Sequence, residues 1–571
     1  MTAPERHLPV TDSDYPARSM EPTTWAGLAG AAVALPLLRK LQIRLRLSRA
    51  KHASVTGHAR ISRRLARLIP HYEYDTDTAF SADGVSREIA ERRRQAFERL
   101  GNQLAAAAPE SLRLTEALEP HVADLQFTNA YRVPFQFRSL VRNTLRTGAM
   151  AVASDGVRIQ NPDGNWSYDV GGSYGVNLLG YDFYKGCIER AVARVGKLGP
   201  VLGPYHPVIA ENVQLLCRIS GLDQVSFHMS GTEAVMQAVG LARYHTGRSQ
   251  VVQFCGAYHG WWDGVQPGVG GQRSARDVYL LEEMSARTLK VLRTRRDIAC
   301  VLINPLQALH PNRGASNDAM LIASDRSAAP DPDAYGVWLR ELREVCTSRG
   351  IVLLFDEVFV GFRLGLGGAQ ERFGVQADMV TYGKTLGGGL PVGVLCGRAD
   401  LMKRYREDRP TDICYARGTF NSHPYVMATM NEFLRDAVSD EFGEQIARAE
   451  SDWNRRAASL NRCFETAELP LKVHNLSSIW LLTYEQPGRF NWMYQYYLRS
   501  EGLALSWVGT GRFIFSHNYT DADFAEVQAR FVRAALRMKA DGWWERPEDL
   551  TNAAIRKQVL REVLSRRLSP G

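Results

Sequence analysis

The sequence lacks the cysteine patterns that stabilise small domains. Its 571 residues include eight cysteines, but these are scattered, form no Cys-x-x-Cys pair and do not cluster with histidines. This spacing argues against a zinc site and against a disulfide scaffold, so we expect no bound metal. It is also typical of a reducing compartment, which predicts a cytoplasmic location.

Low-complexity tracts and internal repeats are missing as well. With 45% hydrophobic residues the chain is not globally disordered, and a mean hydropathy of −0.26 is too polar for a polytopic membrane protein. A length of 571 residues exceeds that of one simple module. The composition therefore predicts a large globular protein with more than one domain.

Acidic residues are absent from residues 39–67, which contain ten lysines and arginines. Because the whole chain has a net charge of +9, the rest of the sequence is close to neutral. No aromatic residue interleaves this basic segment, so stacking on bases is not expected and we predict no nucleic-acid partner. The charge is a property of one segment and not of the whole protein.

The basic segment directly follows residues 22–38, which are 17 uncharged and mostly apolar residues. That length is at the short limit for crossing a bilayer. One interpretation is a membrane anchor or interfacial segment over residues 22–67, attached to the cytoplasmic face through anionic lipid. The alternative is an ordinary apolar helix that is buried against the protein body or a partner subunit.

Helical stretches alternate with short, continuous apolar runs in the middle of the chain. Such runs are typical of buried parallel strands that are covered by helices on both faces. The sequence therefore predicts an α/β fold with a mostly parallel central sheet and a smaller α+β domain assembled from both sides of it. The six runs are VSFHM, VVQFC, CVLIN, IVLLFDEV, MVTYG and VGVLCG.

Two patterns precede this region. Residues 86–104 have the apolar spacing of a surface helix, and residues 157–170 alternate around an Asp163–Gly164 turn as a hairpin does. The whole chain divides into five predicted segments. They are an N-terminal extension (1–70), a helical extension (71–128), the two parts of the smaller domain (129–200 and 431–571) and the large domain (201–430).

Polar residues follow the predicted strands, at the place where ligands bind in open sheets. Ser230, Gly231 and Thr232 lie at a predicted helix N-terminus, whose free N–H groups suit a phosphate. The alternative is a simple helix cap. Tyr258 and His259 follow the next strand, where an aromatic side chain can stack on a planar ligand, although packing is the ordinary alternative.

Asp356 and Lys384 follow two further apolar strands. A carboxylate in an apolar setting can keep a pyridine nitrogen protonated, although a helix cap or an arginine partner also explains Asp356. A buried lysine is a candidate Schiff-base amine, because burial lowers its pKa; the alternative for Lys384 is a phosphate-binding lysine. A phosphate-binding turn, an aromatic side chain, an aspartate and a lysine are the groups that pyridoxal 5′-phosphate needs.

Four stretches carry a resemblance to a known family: SGTEAVMQAVGLAR, YHGWWDG, the long run from LLFDEV to VLCGR, and GTFNSHPYVMAT. Over about residues 130–540 the chain resembles the class III pyridoxal-phosphate aminotransferases, and within them the glutamate-1-semialdehyde aminomutase branch. The resemblance implies the type I pyridoxal-phosphate transferase fold, which is that of aspartate aminotransferase. The first 120 or so residues lie outside it.

The resemblance also implies roles for residues of the site. Lys384 resembles the lysine that forms the Schiff base and moves the substrate proton, and Asp356 matches the aspartate at the pyridine nitrogen. Val358 and Tyr258 match the residues on the two faces of the ring. Thr419 resembles a threonine that reaches the phosphate of the neighbouring subunit, which implies a homodimer.

Five further residues follow or depart from the family pattern. Gly231 and Thr232 look like its phosphate-binding turn, and Gln307 resembles a glutamine near the ring hydroxyl. Asn304 stands where the family usually has glutamate, which removes a charge from the site wall. Tyr174 stands where an aromatic residue usually lines the substrate pocket.

The region for a substrate carboxylate departs from the aminomutase branch. Arg132 and Arg138 lie near the position of the arginine that binds this group in the branch, with Gln136 between them. The acidic residue expected within residues 507–513 is missing, and extra sequence occurs over residues 310–331.

These observations together predict a pyridoxal-phosphate-dependent aminotransferase. It would move an amino group between an amine donor and an aldehyde or ketone acceptor, neither of which the sequence names. The first alternative is glutamate-1-semialdehyde 2,1-aminomutase. The second is a catalytically silent, membrane-associated scaffold.

Overall fold

The computed structural model describes residues 22–52, 59–262, 264–265, 277–309, 330–506 and 511–568. The chain forms two compact units, Met1–Arg49 and Ala50–Gly571. Helix α1 (Pro22–Ala50) includes both the apolar segment and the start of the basic segment, so the two belong to one helix. Pro36 lies inside this helix. Within the described ranges, no helix combines the length and the apolar character that crossing a bilayer requires.

The helices before the first strand of the second unit are α2 (Ala59–Ala66), α3 (Thr76–Ala79), α4 (Arg87–Ala107), α5 (Pro109–Leu118), α6 (Ala123–Tyr131) and α7 (Arg138–Thr144). The hydroxyl of Ser86 caps α4 by accepting a hydrogen bond from the Ile89 N–H. The surface helix predicted from residue 86 is therefore confirmed.

A seven-stranded sheet forms the centre of the second unit, in the order β4-β10-β9-β8-β7-β5-β6. Strand β10 runs antiparallel to both neighbours, and the other strands are parallel to one another. The mostly parallel sheet predicted from the apolar runs is confirmed. The strands are β4 (Gln224–His228), β5 (Gln250–Phe254), β6 (Val278–Leu281), β7 (Ile298–Ile303), β8 (Val352–Asp356), β9 (Met379–Gly383) and β10 (Gly393–Gly397).

Helices connect these strands and continue beyond them. They are α8 (Tyr181–Val195), α9 (Val208–Ser220), α10 (Gly231–Thr246), α11 (Ala286–Thr294), α12 (Pro332–Arg349), α13 (Gly368–Phe373), α14 (Ala399–Met402) and α15 (Pro424–Ala437). Every residue of β5, β7, β8, β9 and β10 is buried. This burial explains why these strands are mostly apolar and do not alternate between apolar and polar residues.

Two smaller sheets lie outside the central one. The strands are β1 (Ala153–Asp155), β2 (Arg158–Gln160), β3 (Trp166–Asp169) and β13 (Leu503–Ala504) in the first sheet, and β11 (Leu471–Leu476), β12 (Ile479–Tyr484) and β14 (Arg512–Ile514) in the second. Strands β2 and β3 pair antiparallel, as the predicted hairpin requires. The last helices are α16 (Asp440–Thr466), α17 (Tyr494–Ser500), α18 (Asp521–Ala540) and α19 (Asn552–Leu568).

One hydrophobic core joins parts of the chain that are distant in sequence. It contains Phe97 of the helical extension, Val170 beside β3, and an aromatic group in which the Trp453 and Phe515 rings stack 4.9 Å apart. Chain segments that come before and after the central sheet in the sequence therefore pack together, and the helical extension shares the same core. The five-segment division of the chain stays a prediction.

Candidate active site

Asp356 ends strand β8 and is held by three hydrogen-bond donors. His259 Nδ1 lies 2.8 Å from Oδ2, while the Val358 N–H and the Thr381 hydroxyl donate to Oδ1 at 3.2 and 3.3 Å. Asp356 and His259 are almost fully buried. A carboxylate accepts about four hydrogen bonds, so Asp356 keeps acceptor capacity for one further donor.

Lys384 follows strand β9, which pairs with β8, so it lies beside Asp356 at the same edge of the sheet. Its backbone has φ +50°, a left-handed conformation that is costly for a residue with a side chain. Its ammonium nitrogen lies 4.8 Å from the centre of the Phe359 ring. Burial, with the positive charges of Arg363 and Arg512, lowers the pKa of Lys384 to about 8, although the negative charge of Asp356 opposes the shift.

The predicted phosphate turn opens helix α10. The Ser230 hydroxyl accepts a hydrogen bond from the Glu233 N–H at 3.2 Å, so the helix-cap interpretation describes this side chain. A Cβ atom on Gly231 would lie 2.6 Å from Val358 Cγ1, and one on Gly260 would lie 2.6 Å from Thr232 Oγ1. Because neither glycine has a side chain, the turn can lie close to the ends of the neighbouring strands.

Asn304 and Gln307 connect the end of β7 to the loop after β5. The Asn304 amide donates to the Tyr258 carbonyl at 3.1 Å, and the Gln307 amide donates to the Cys255 carbonyl at 3.2 Å. A glutamate could not make the first of these bonds, because a carboxylate has no hydrogen to donate. Asn304 thus positions the segment that carries Tyr258, whose side chain is exposed.

Among the buried polar atoms that lack a hydrogen-bond partner in the described part of the chain, His259 Nε2 and Gln307 Oε1 belong to this site. Such atoms are costly unless a ligand or water satisfies them. The site also offers an amine in Lys384, a carboxylate in Asp356 and a helix N-terminus at Gly231. These groups match the aldehyde, the pyridine nitrogen and the phosphate of pyridoxal 5′-phosphate, so the residues present fit this cofactor.

The predicted substrate residues fall into two groups. Tyr174 is exposed in a short turn with φ +58°, and a Cβ atom on the next residue, Gly175, would lie 3.5 Å from Lys384 Cδ. Tyr174 therefore lies beside the candidate site. Arg132 is buried and donates to the Thr147 hydroxyl.

The remaining two predicted substrate residues contact aromatic side chains that precede the first strand in the sequence. The Gln136 amide donates to the Tyr72 hydroxyl at 3.2 Å, and the Arg138 guanidinium lies 4.6 Å from the centre of the Tyr131 ring. A role of either residue in substrate binding stays a prediction.

Sequence reasoning missed four residues near the site. Phe359 contacts Lys384, and Arg363 is fully buried with hydrogen bonds to the Ser478 hydroxyl and the Phe515 carbonyl. Arg512 comes from β14, in a different sheet. Burial and the charge of Arg132 lower the pKa of Arg499 to about 9.

Some predicted features lie elsewhere. Thr419 is in an exposed turn before α15. Most of the extra sequence over residues 310–331, and residues 507–510 of the late glycine motif, lie outside the described residues.

Comparison with known proteins gives the family. The family described as Aminotransferase class-III matches residues 141–534. A glutamate-1-semialdehyde 2,1-aminomutase of Alkaliphilus oremlandii is 34% identical over 68% of this chain and 91% of its own length. One of Flavobacterium johnsoniae is 30% identical over 57% of this chain and 74% of its own length.

Solved structures share the fold. An omega-transaminase from Sphaerobacter thermophilus superposes with a TM-score of 0.62 at 23% identity, covering 75% of this chain and 98% of that one. A glutamate-1-semialdehyde-aminomutase from Pseudomonas aeruginosa gives a TM-score of 0.63 at 17% identity, covering 78% and 99%. The predicted pyridoxal-phosphate transferase fold, the enzyme class and the cofactor are confirmed. The chain belongs to the class III aminotransferases.

Proposed function

We propose that this enzyme transfers an amino group from an amine donor to an aldehyde or ketone acceptor. The observation that carries this proposal is the pairing of Lys384, whose pKa is lowered to about 8, with the Asp356 carboxylate at adjoining strand ends. Amino transfer needs a neutral amine that can carry a proton, and a fixed negative charge that keeps a pyridine ring cationic.

Pyridoxal 5′-phosphate, when bound, supplies an aldehyde and an electron-accepting ring. Lys384 would bind the aldehyde and then, once a substrate amine takes its place, accept the proton from the substrate carbon and return it. A lysine with a pKa near 8 has a substantial neutral fraction at physiological pH, so it can act as a base. Asp356 would hold a proton at the pyridine nitrogen, while His259 and Thr381 keep its carboxylate in place.

The other cofactor contacts follow from the surrounding residues. Val358 and Tyr258 would contact the two faces of the ring. Gly231 and Thr232 would bind the phosphate, and the unpartnered Gln307 Oε1 would accept a hydrogen bond from the ring hydroxyl. Ser230, whose hydroxyl caps α10, would contribute through the geometry of the turn.

A substrate with an anionic group fits the charges beside Tyr174. The positive charge of Arg132 lowers the pKa of Arg499, and the Tyr174 side chain acts on Arg499 in the opposite direction. Like charges that are held together in a protein are stabilised by an anion between them. We propose that Arg132 and Arg499 bind this group, with Tyr174 on the pocket wall.

A homodimer is part of the proposal. Thr419 would reach the phosphate in the neighbouring subunit, and Phe420 of the same turn and Tyr415 of the segment before it are exposed. Exposed aromatic residues are enriched at protein–protein interfaces. We also propose a cytoplasmic location, which the eight free cysteines support, with a membrane surface contacted through residues 22–67.

The second candidate is glutamate-1-semialdehyde 2,1-aminomutase, because the curated relatives at 34% and 30% identity carry this name. An aminomutase needs no external donor. Conversion of glutamate 1-semialdehyde to 5-aminolevulinate by the enzyme alone would favour it.

A screen of donors and acceptors with the cofactor absorbance as the readout tests the first candidate. We expect the visible band of the bound cofactor to disappear with a donor amine and to return with a carbonyl acceptor. A Lys384→Ala enzyme that still turned over would contradict the assigned role of the lysine.

A further inference from the structure

Exposed leucines and isoleucines are concentrated near the two ends of the described part of the second unit. Of the ten leucines and isoleucines that are exposed in its described part, seven lie in residues 61–69 or in helix α19. Exposed apolar side chains that lie together mark interaction sites more often than scattered ones do. The seven are Ile61, Leu65, Leu68, Ile69, Leu560, Leu564 and Leu568.

The two segments are in direct contact. The Arg567 guanidinium donates to the Leu68 carbonyl at 2.9 Å. Glu562 accepts hydrogen bonds from the hydroxyls of Tyr72 and Tyr74 at 3.0 and 2.6 Å. Helix α19 therefore lies against the chain that directly follows α2, and the seven side chains belong to one region of the surface.

Helix α19 has one face against the protein. Ile555 is buried, Gln558 donates to the Ala82 carbonyl at 2.6 Å, and Glu562 forms an ion pair with Arg489 at 2.8 Å. Residues at i, i+3 and i+7 share one side of a helix. The anchored face thus includes Glu562, the one acidic residue of α19.

The opposite face of α19 carries leucines between basic residues. Leu560, Leu564 and Leu568 follow each other at intervals of four residues and are 57%, 49% and 82% exposed. Lys557 and Arg561 are exposed beside this stripe. The same combination recurs around α2, where Ile61 and Leu65 are exposed and no acidic residue occurs over residues 39–67.

Charge and residue type identify what would cover this surface. Residues 39–67 and α19 together contain fifteen basic residues and a single acidic one. Protein interfaces are enriched in aromatic residues, whereas the exposed large apolar side chains here are all leucine and isoleucine. Exposed leucines interspersed with lysine and arginine suit the headgroup region of an anionic bilayer, where aliphatic side chains enter the acyl boundary and basic ones bind the headgroups.

We propose that α2, Leu68, Ile69 and the leucine face of α19 form one docking surface for an anionic membrane, which we call the lipid-facing surface. The proposal adds the C-terminal helix to the membrane contact suggested for residues 22–67, and it does not depend on the aminotransferase reaction. The leucines would enter the boundary between headgroups and acyl chains. The basic residues would bind the lipid phosphates and carboxylates.

Co-sedimentation of the full-length holoenzyme with vesicles tests this proposal. We expect binding to vesicles of phosphatidylcholine mixed with phosphatidylserine, weaker binding at high salt because charges are screened, and little binding to phosphatidylcholine alone. Equal binding to both vesicle types, or no binding to the anionic ones, would overturn the proposal.

Variants of α19 test its contribution. The triple change Leu560→Ser, Leu564→Ser and Leu568→Ser should lower the affinity for anionic vesicles by about tenfold, with the cofactor absorbance and the turnover unchanged. Leu536→Ser, at an exposed leucine outside the lipid-facing surface, is the matched control and should leave the affinity for anionic vesicles unchanged.

A charge variant keeps the test valid if the triple variant folds poorly. Lys557→Gln with Arg561→Gln alters two exposed side chains and should weaken binding and reduce its salt dependence. Wild-type binding by either folded α19 variant would show that residues 22–67 act alone and would overturn the proposal.

Discussion

His259 Nδ1 lies 2.8 Å from Asp356 Oδ2, and both residues are buried. This hydrogen bond joins the loop after β5 to the end of β8, so the aspartate cannot turn away from the site. His259 is a positioning residue in this account, because it acts on the cofactor through Asp356.

Loss of this hydrogen bond is expected to slow turnover. His259→Leu should lower kcat by about 10 to 100-fold with a smaller effect on KM, since a charge-assisted hydrogen bond to the carboxylate is removed. His259→Asn, whose amide can donate from a similar place, should recover most of the rate. His121→Leu, at an exposed histidine, is the control. Equal rates for the leucine and asparagine variants would contradict the positioning role.

The close approach of Gly231 to Val358 predicts a defect that a second substitution can repair. Gly231→Ala places a Cβ atom 2.6 Å from Val358 Cγ1 and would push that side chain toward the cofactor ring. We expect the Kd for pyridoxal 5′-phosphate to rise about tenfold, which is about 1.4 kcal/mol.

Combining Gly231→Ala with Val358→Ala should restore part of the lost affinity, because the contact is removed. Gly443→Ala, at a helical glycine with open space around it, should leave the Kd unchanged. A double variant weaker than both single variants would show that this contact is not the cause.

The lowered pKa of Lys384 predicts how apoenzyme binds its cofactor as pH changes. Only the neutral amine attacks an aldehyde, and burial and the nearby arginines bring the pKa from 10.5 to about 8. The rate of covalent cofactor binding should therefore rise by about tenfold per pH unit below pH 8 and level off above it. Stopped-flow absorbance measures this rate. A rate that keeps rising to pH 10 would show that the pKa of Lys384 is that of an ordinary lysine.

Asn304 offers a test of the departure from the family pattern. Asn304→Asp removes the donor to the Tyr258 carbonyl and places a negative charge against it, so cofactor affinity should fall by about tenfold. Asn454→Asp is the matched control, because Asn454 accepts a hydrogen bond from Asn475 and the aspartate can still accept it. Unchanged affinity in Asn304→Asp would mean that Tyr258 is positioned by other contacts.

The residues of the site that could be predicted from sequence are those that follow continuous apolar runs. Asp356 and Lys384 each come at the end of a fully buried strand, and such strands are recognisable from composition alone. Ser230 was also recognisable as a helix start, but whether its hydroxyl binds a ligand or caps α10 depends on geometry.

Other features depend on contacts between distant parts of the chain. Phe359 and Arg512 reach Lys384 from a turn and from another sheet, and no local pattern marks them. Strand β10 is antiparallel to its neighbours but has the same buried apolar pattern as a parallel strand, so the sequence does not show its direction. Strand β6 has four residues and is only partly buried, so its sequence is not recognisable as a buried strand.

Trapping the cofactor on the enzyme shows whether Lys384 is the residue that binds it. Holoenzyme is treated with borohydride, digested and mapped by mass spectrometry, with and without a donor amine added before reduction. We expect one pyridoxyl group per chain, on Lys384, and its loss from the lysine after the donor has reacted. A pyridoxyl group on another lysine, or one that stays on Lys384 with every donor tested, would contradict this expectation.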